Sequence, residues 1–379
     1  MFVPQFPPPV VGGLEKQAQH LARSLSDKKI DVYILSGTVS ILHRGSDVRE
    51  GYSVRRIFWP KNKVFRYSIL FCSIFFHFFI LRNKIEIVHC HQISLGSLWL
   101  LFIAKIFKKK TVIKLANVGH YGIPGIKKEV FGGLKIKILK LADCLVAMSM
   151  ESYKEAIEIG VESKSIFCVS NGVVENNDVF DRPSEYIRVI AVGRLSPEKK
   201  IDDLLLAWRQ VVQRTKQNVA LELYGDGPLL QKLKKQVNDL GIGNSVIFCG
   251  HHEDLNLIYK RSSIFVNSSS FEGNSNSILE AMANALPVVA SSVGGTPLLV
   301  GDEGSNFLFH SGDIAVLSKR LLLLIENRDL REELGKKMRK RVNNHFGINK
   351  VALKYICMYE KLLFDPQCDV NSCSDLSLF

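Results

Sequence analysis

Two glutamates flank a polar loop in the segment FEGNSNSILEAMA (residues 271–283), in the second half of the chain. The segment lies between the apolar runs SIFVNSS (263–269) and LPVVASS (286–292), and this order predicts a strand, a polar loop and a helix. Glu272 falls in the loop and Glu280 in the helix. Carboxylates placed in this way could bind the hydroxyl groups of a sugar or a ribose.

The residues between the two glutamates could bind an anion. Ser275 or Asn276 can cap the helix, which would place Glu280 in its first turn. The free amides of Gly273, Asn274 and Ser275, together with the positive end of the helix, then form a site for a diphosphate or for sugar hydroxyls. Glutamate near a helix start also simply stabilises the helix, so Glu280 alone does not define a site.

A second candidate is the basic segment GRLSPEKK (193–200), which follows an apolar, β-branched run. Ser196 as cap predicts a helix start that places Lys199 and Lys200 in the first turn, where cations oppose the helix dipole. A bound anion would remove this conflict, and Arg194 with Lys199 suits a pyrophosphate that leaves without metal assistance. The alternative is a basic surface cluster.

Gly12 and Gly13 precede a helical pattern and would let the backbone approach a phosphate. The pair matches neither the P-loop nor the G-x-G-x-x-G fingerprint, so by itself it is a weak signal. The chain contains no D-x-D and no His or Cys cluster with metal-ligand spacing. We therefore predict no metal and no cofactor.

The elements that must position these residues alternate between strands and helices. Strands are predicted in the first half at 30–37, 86–92, 111–116, 144–149 and 166–172. Further strands are predicted in the second half at 187–193, 220–227, 245–250, 263–269 and 286–292. This alternation predicts an α/β fold of two Rossmann-like domains, each with a parallel sheet between helices.

The domain boundaries follow from composition. Residues 1–173 form the predicted first domain, and the polar segment 174–186 is the predicted linker. The second domain is expected at 187–347, followed by an amphipathic helix at 348–365 that packs back on the first domain. The polar tail, 366–379, is expected to be disordered.

The net charge of +13 is concentrated in one half of the chain. Residues 1–175 hold 25 Lys or Arg against 13 Asp or Glu, whereas residues 176–379 are nearly balanced. This asymmetry suggests an anionic partner, either a membrane surface, a phosphorylated acceptor or nucleic acid, or else a merely solvated basic surface. Nucleic acid is the weakest of these partners because no recognised binding module accompanies the charge.

The apolar segment 67–81 has 15 uncharged residues, fewer than the roughly 20 that a spanning helix needs. It predicts a buried or membrane-touching helix. The eight cysteines include no C-x-x-C pair, and no secretory signal opens the chain. We therefore expect a cytoplasmic protein, peripheral on the inner face of the cell membrane.

Taken in order, these motifs resemble the retaining glycosyltransferases of family four, which have the GT-B fold of two Rossmann-like domains. The resemblance covers about residues 4–365 and is most specific in the second half. There GRLSPEKK, LYGDGP, the Glu-x7-Glu pair and PVVASSVGG occur in the family's order and spacing.

The resemblance implies a role for each donor-side residue. Arg194 and Lys199 would bind the diphosphate of a nucleotide sugar, most simply a UDP-sugar. Glu280 would bind the ribose, and Glu272 would lie near the reacting centre of the transferred sugar. The backbone of Gly273, Asn274 and Ser275 would hold sugar hydroxyls or phosphate.

In the first domain, the resemblance places Gly12 and Gly13 beside the donor phosphates. The segment IVHCHQ (87–92) is similar to the family's H-x-H, which makes His91 a candidate catalytic residue and His89 a candidate near the acceptor. A core histidine is the alternative for each of them.

Three features depart from the family pattern. Only Met1–Pro4 precede the glycine loop, so the central first strand is expected to be truncated, either because the true start lies upstream or because this form is impaired. No histidine ends the TVIKLAN run (111–117), where many relatives carry one. Leu298 stands where relatives commonly have glutamate.

The leading hypothesis is a retaining, metal-independent glycosyltransferase that builds a surface glycan on a lipid-linked or glycan acceptor. A nucleotide-sugar epimerase or an inverting transferase on the same fold is a rival. A catalytically impaired sugar-nucleotide-binding protein is another, because the first strand is short.

Overall fold

The computed structural model describes residues 1–6, 12–38, 45–49, 51–58, 63–176, 178, 186–252, 254–365 and 369–374. The chain divides into a first unit, Met1–Gly172 with Ile348–Phe379, and a second unit, Val173–Gly347. The C-terminal helix thus belongs to the first unit. Most of the predicted linker, residues 177 and 179–185, lies outside the described residues.

The first unit is built on an eight-stranded sheet of order β3-β4-β2-β1-β5-β6-β7-β8. Its strands are β1 (Phe2–Val3), β2 (Tyr33–Thr38), β3 (Gly45–Arg49), β4 (Tyr52–Phe58), β5 (Ile87–Cys90), β6 (Lys110–Leu115), β7 (Cys144–Ala147) and β8 (Ile166–Cys168). β1 has two residues and lies between β2 and β5, parallel to both. A cavity of about 670 Å³ is lined by Met1 and by residues of β2 and β5.

The edge of this sheet differs from the sequence-based prediction, which placed no strand between residues 45 and 58. β3 pairs antiparallel with β4 around Gly51, whose φ of 87° is in the left-handed region. Arg56 of β4 is buried and pairs with Asp47 of β3 at 3.1 Å. Arginines at 49, 55 and 56 interrupt the apolar pattern of these strands, although Tyr52, Val54 and Ile57 of β4 are buried.

Helices cover both faces of the first sheet. They are α1 (Gly13–Asp27), α2 (Lys63–Leu81), α3 (Leu95–Ile106), α4 (Ile123–Lys128), α5 (Gly132–Leu139), α6 (Met150–Glu158) and α14 (Ile348–Phe364). α1 and α14 pack with Val3 in one apolar cluster. α2, α3 and α6 pack with Phe2 in the other. The unit is therefore an α/β/α sandwich.

The second unit has a six-stranded parallel sheet of order β11-β10-β9-β12-β13-β14. Its strands are β9 (Ile187–Val192), β10 (Val219–Tyr224), β11 (Val246–Gly250), β12 (Ile264–Asn267), β13 (Val288–Ser291) and β14 (Leu308–Phe309). Its helices are α7 (Ile201–Arg214), α8 (Leu230–Asp239), α9 (Asn256–Arg261), α10 (Asn276–Ala283), α11 (Thr296–Gly304), α12 (Ile314–Glu326) and α13 (Arg328–Arg341). The strand order reverses between β9 and β12, and in doubly wound sheets ligands bind at the carboxyl ends of the strands at such a point.

The predicted disordered tail is partly folded, which corrects that expectation. A 3-10 turn at Val370–Cys373 packs on the first unit, where the Ser374 hydroxyl accepts from the amide of Cys168 at 2.8 Å. Val370 and Cys373 are buried in the core. A disulfide joins Cys373 to Cys357, 16 residues earlier in the chain. A few apolar residues in the tail were enough to anchor it, and composition alone did not reveal them.

In the described part of the chain, no helix combines the length and the apolarity that crossing a membrane requires.

Candidate functional site

The chain leaves β9 through a tight, basic turn. Lys199 ends a 3-10 turn that begins at Pro197, and Lys200 has left-handed dihedrals (φ 49°, ψ 40°). The prediction that both lysines occupy the first turn of one helix is therefore wrong, because α7 begins only at Ile201. Ser196 makes no capping hydrogen bond. The left-handed conformation of Lys200 turns the chain directly after Lys199, and it is Lys199 that contacts Glu272, whereas Lys200 faces Asp203.

The GDG segment that follows β10 (residues 225–227) packs against this turn. The Leu195 amide donates to the Asp226 carbonyl at 3.0 Å. A Cβ on Gly225 would lie 2.0 Å from the Gly193 carbonyl oxygen, and one on Gly227 would lie 2.3 Å from the Leu195 carbonyl oxygen. The two loops therefore pack backbone to backbone. Glycine is required here because a side chain would separate them.

The Glu272 carboxylate is held by three donors. Lys199 Nζ donates to its Oε1 at 2.5 Å, the Ser269 hydroxyl at 2.8 Å and the Asn267 amide at 3.2 Å. Only 11% of the glutamate side chain and 23% of the lysine side chain are exposed. Residues after β9 and β12 thus meet at the reversal point of the sheet.

Sequence reasoning missed the two neutral donors. It assigned residues 263–269 to one strand, whereas β12 ends at Asn267. The signal was present, since the polar run Asn267 to Ser270 directly follows a buried apolar strand. A polar run at the carboxyl end of a parallel strand is where a site is expected.

The turn at residues 293–295 fixes the backbone beside Glu272. Gly295 donates its amide to the Gly273 carbonyl at 2.9 Å. Gly294 has a φ of 52°, and a Cβ there would lie 1.6 Å from the Glu272 carbonyl oxygen. This contact explains why the two glycines of PVVASSVGG belong to the same site as the glutamate.

Arg194 lines the same small hollow as Lys199, Asn267 and Ser269. Its side chain is exposed, so it can move toward a ligand. Burial acts to raise the pKa of Glu198, but the Ser196 hydrogen bond and the charges of Lys199 and Arg194 hold that pKa below its ordinary value. The charges of Lys199 and Arg194, which line the hollow, thus already stabilise one carboxylate beside it.

Glu280 lies in the second turn of α10, not in the first as predicted, because the helix begins at Asn276. Ser275 occupies the cap position without a capping hydrogen bond. The buried Tyr259 hydroxyl donates to Glu280 Oε2 at 2.9 Å. Tyr259 was not identified from the sequence, where it reads only as an apolar helix residue.

In the first unit, Gly12 caps α1, which begins at Gly13. Residues 7–11 of the predicted loop lie outside the described part of the chain. Burial raises the pKa of Glu15, although hydrogen bonds from the amides of Glu15 and Gly12 oppose that rise. The Glu15 carboxylate thus occupies the amide end of the helix, where an anion would bind.

His89 and His91 are buried, with 2% and 1% of their surfaces exposed. Their rings stack at 4.4 Å, and His89 Nδ1 hydrogen-bonds the Tyr359 hydroxyl at 2.6 Å. Burial, aided by the charge of Lys114, holds both histidine pKa values well below the ordinary range. This geometry favours the core alternative for both histidines, and the catalytic role of His91 stays a prediction.

Arg194 and Lys199 thus line one hollow of the second unit, Glu272 contacts Lys199, and Gly273 is bonded to the adjoining turn. Asn274 and Ser275 lie buried in the loop that leads to α10. Glu280 lies farther along α10 with a different partner. No group of three metal-binding side chains occurs among the described residues, and metal independence stays a prediction.

Comparison with known proteins assigns both halves of the chain. The family described as Glycosyltransferase Family 4 matches residues 11–176, and the family described as Glycosyl transferases group 1 matches residues 175–341. These matches favour a transferase over an epimerase.

Relatives match over most of their length. An uncharacterized glycosyltransferase of Methanocaldococcus jannaschii is 26% identical, over 94% of this chain and 96% of its own. The UDP-Gal:alpha-D-GlcNAc-diphosphoundecaprenol alpha-1,3-galactosyltransferase of Escherichia coli is 25% identical, over 73% of this chain and 76% of its own. The structure of Anabaena HepE in complex with UDP and glucose shares the fold, with a TM-score of 0.74 and 18% identity, over 94% of this chain and 97% of its own. The chain therefore belongs to the group 1 glycosyltransferases of the GT-B fold.

Proposed function

We propose that this protein is a retaining glycosyltransferase that moves a sugar from a nucleotide diphosphate sugar, a UDP-sugar, to a lipid-linked or glycan acceptor without a metal. The observation that carries the proposal is the contact between Lys199 and Glu272 at the reversal point of the second sheet. The relatives support the substrate class, since one of them is a UDP-galactose-dependent enzyme with a lipid diphosphate acceptor.

The charges of the site fit this chemistry. When the bond between the sugar and the diphosphate breaks, negative charge grows on the departing phosphate. Arg194 and Lys199 line the hollow where that charge would lie, and cations placed in advance stabilise it. The amides of Gly273, Asn274 and Ser275 precede α10 and would add donors at the positive end of that helix.

Glu272 would contact the transferred sugar. Its Oε1 already accepts from three donors, which holds the carboxylate in one orientation. Such a fixed carboxylate can bind sugar hydroxyls or stabilise the positive charge that develops on the sugar ring. Retention of the anomeric configuration is part of the proposal and is implied by the resemblance of the Glu-x7-Glu motif.

The proposal also includes where in the cell the enzyme acts. A lipid-linked acceptor lies at a membrane surface, and the excess positive charge of residues 1–175 suits an anionic surface. We therefore place the enzyme in the cytoplasm, peripheral on the inner face of the cell membrane.

The experiment is a binding and turnover assay with a panel of UDP-, GDP- and ADP-sugars in the presence of EDTA. Lys199→Ala should weaken binding of the preferred donor about 10- to 100-fold, because a charged hydrogen bond is lost. Lys200→Ala is the matched control, since Lys200 faces Asp203 at 3.8 Å instead of Glu272. NMR of the product's anomeric proton reports retention or inversion.

Glu272→Ala should abolish turnover while leaving the donor bound, and Glu333→Ala, an exposed glutamate on α13, is its control. Failure of every nucleotide sugar to bind would reject the proposed function. Binding that disappears with EDTA and returns with a divalent cation would reject the metal-independent form of it.

A further inference from the structure

α2 is apolar on all sides although it lies at the surface. Leu70, Ile74 and Phe78 form its buried stripe and pack on the first sheet. The opposite side of the same helix also carries apolar side chains. A helix that is apolar all round is normally buried on all sides, whereas the outer side of α2 is exposed to solvent.

The outer apolar side is continuous between two helices. On α2, Ile69, Phe76, Phe79 and Ile80 are 41%, 59%, 43% and 49% exposed. α3, which packs beside α2, adds Phe102 and Ile106 at 41% and 59%. The Phe79 ring lies 6.1 Å from that of Phe107, at the end of α3. Large contiguous apolar patches of this kind mark interaction sites.

Positive charge surrounds this apolar area. Residues 63–142 contain 14 Lys or Arg and only two acidic residues, Glu86 and Glu129. The Arg82 guanidinium lies 3.8 Å from the centre of the Phe79 ring, and Lys84 and Lys108 are exposed at the ends of the two helices. Glu129 is already paired with Lys135 at 2.6 Å. The segment thus carries nearly the whole net charge of the chain.

We propose that this aromatic-basic face docks on an anionic lipid surface. The face consists of Ile69, Phe76, Phe79, Ile80, Phe102 and Ile106 with the cations Arg82, Lys84 and Lys108. Aromatic and aliphatic side chains enter the headgroup boundary while Lys and Arg bind anionic headgroups. The inference deepens the proposed function and rests on it, since a lipid-linked acceptor has to be met at a membrane.

Charge selects this occupant over a second copy of the chain. Two copies that met through the aromatic-basic face would bring like charges together, which opposes association. An anionic bilayer instead gains attraction from each cation and covers the apolar side chains at the same time. An anionic bilayer therefore accounts both for the exposed apolar side chains and for the cations of the aromatic-basic face.

The test is cosedimentation of the full chain with phosphatidylcholine vesicles, with and without phosphatidylglycerol. The apolar variant is Phe76→Ser/Phe79→Ser/Ile80→Ser. Its control is Ile247→Ser/Leu257→Ser/Leu323→Ser, which removes exposed apolar side chains from the second unit. We expect the native chain and the control to bind anionic vesicles, and the apolar variant to bind at least tenfold more weakly.

A second pair of variants tests the charges. Arg82→Gln/Lys84→Gln/Lys108→Gln should lower the partition coefficient about a hundredfold, at roughly fivefold for each neutralised cation. Lys216→Gln/Lys232→Gln/Lys336→Gln, exposed lysines of the second unit, should change it little. Circular dichroism and urea unfolding without vesicles establish that each variant is folded.

Three outcomes would overturn the inference. They are equal binding to neutral and anionic vesicles, unchanged binding of the apolar variant, and a native dimer that the apolar variant converts to monomer without any vesicle binding. Failure of the proposed function is separate, because nucleotide-sugar binding is measured in solution. A chain that binds anionic vesicles but no nucleotide sugar would retain the docking face and lose the activity.

Discussion

The central strands of the two sheets end in opposite physical environments. At the reversal point of the second sheet, Lys199 and Glu272 are paired but remain partly exposed. At the equivalent point of the first sheet, His89 contacts Tyr355 and Tyr359 of α14, and the buried His91 stacks on His89. The same position in a doubly wound sheet therefore carries an open charged pair in one unit and a closed aromatic cluster in the other.

The difference shows that a motif's place in the topology does not by itself make a site. Both pairs follow central strands, yet only the second unit leaves its polar groups accessible. The cover in the first unit comes from α14, a helix far away in sequence. The histidine pair and the lysine–glutamate pair look equally functional in the sequence, but they differ in whether a ligand can reach them.

The largest expected effect is that of Gly294→Ala. This change disrupts the turn that packs on the backbone of Glu272, the glutamate of the open pair. A methyl group there would collide with the Glu272 carbonyl oxygen and would strain a residue at a φ of 52°. We expect the second unit to lose about 3 kcal/mol of stability. Urea unfolding measures it, and Gly243→Ala, which meets no atom within 4 Å, is the control. Equal stability of the two variants would contradict the packing of the turn on Glu272.

The closed pair predicts a pH dependence. Because burial lowers the folded pKa values of His89 and His91, the unfolded chain binds more protons below its own histidine pKa of about 6.5. Stability should therefore fall as pH falls below about 6.5, by up to about 1.4 kcal/mol per pH unit for each histidine.

Urea unfolding between pH 7.5 and pH 5 measures this slope for the first unit. His89→Phe and His91→Gln should each reduce it, since one titrating group is removed. If His91→Gln left the slope unchanged but shifted the pH profile of turnover near neutrality, His91 would be an accessible catalytic group after all. The comparison between the two units would then fail.

Tyr259→Phe tests whether the hydrogen bond from Tyr259 prepares Glu280 to bind the ribose. Removal of the hydroxyl takes away one hydrogen bond that orients the Glu280 carboxylate, which the resemblance assigns to the ribose. UDP affinity should fall about tenfold, the cost of one hydrogen bond to a charged group. Calorimetry with UDP and with 2′,3′-dideoxy-UDP measures the effect. An equal loss with both ligands would mean that Tyr259 supports only the fold.

The smallest expected effect on ligand binding is that of Glu272→Gln. This change removes the charge that holds Lys199, so the lysine is free for the diphosphate. UDP should bind about two- to fivefold more tightly, in the range of one partly exposed ion pair, while turnover falls. Calorimetry measures the affinity for UDP and a turnover assay measures the loss of activity, with Glu333→Gln as the control. Weaker UDP binding would show that the pair does not compete with the donor.

Much of the fold could be predicted from the sequence, because buried parallel strands are short apolar runs. Ten predicted strands correspond to strands of the structure, with ends that differ by a few residues. The hairpin of β3 and β4 and the two-residue β14 were missed. The hairpin was missed because arginines interrupt its apolar pattern, and β14 was missed because two residues are too few to show one.

The site was predicted in part. Arg194, Lys199 and Glu272 could be named because charged residues follow apolar strands at motif spacing. Asn267, Ser269 and Tyr259 could not, since a neutral side chain acquires its role only from the partner that it meets. Ser275 does occupy the cap position, but Glu280 is the fifth residue after it and therefore lies beyond the first turn, where the prediction had placed it.

The sequence by itself determined two α/β halves and a basic first half, and it supplied the residues that we predict to bind a nucleotide diphosphate. Local patterning and charge depend only on residue type and spacing. The tertiary structure decided that Lys199 pairs with Glu272, that α14 covers His89 and the stacked His91 is buried with it, and that α2 keeps an apolar side exposed. Each of these facts depends on contacts between segments distant in sequence, which no local pattern specifies.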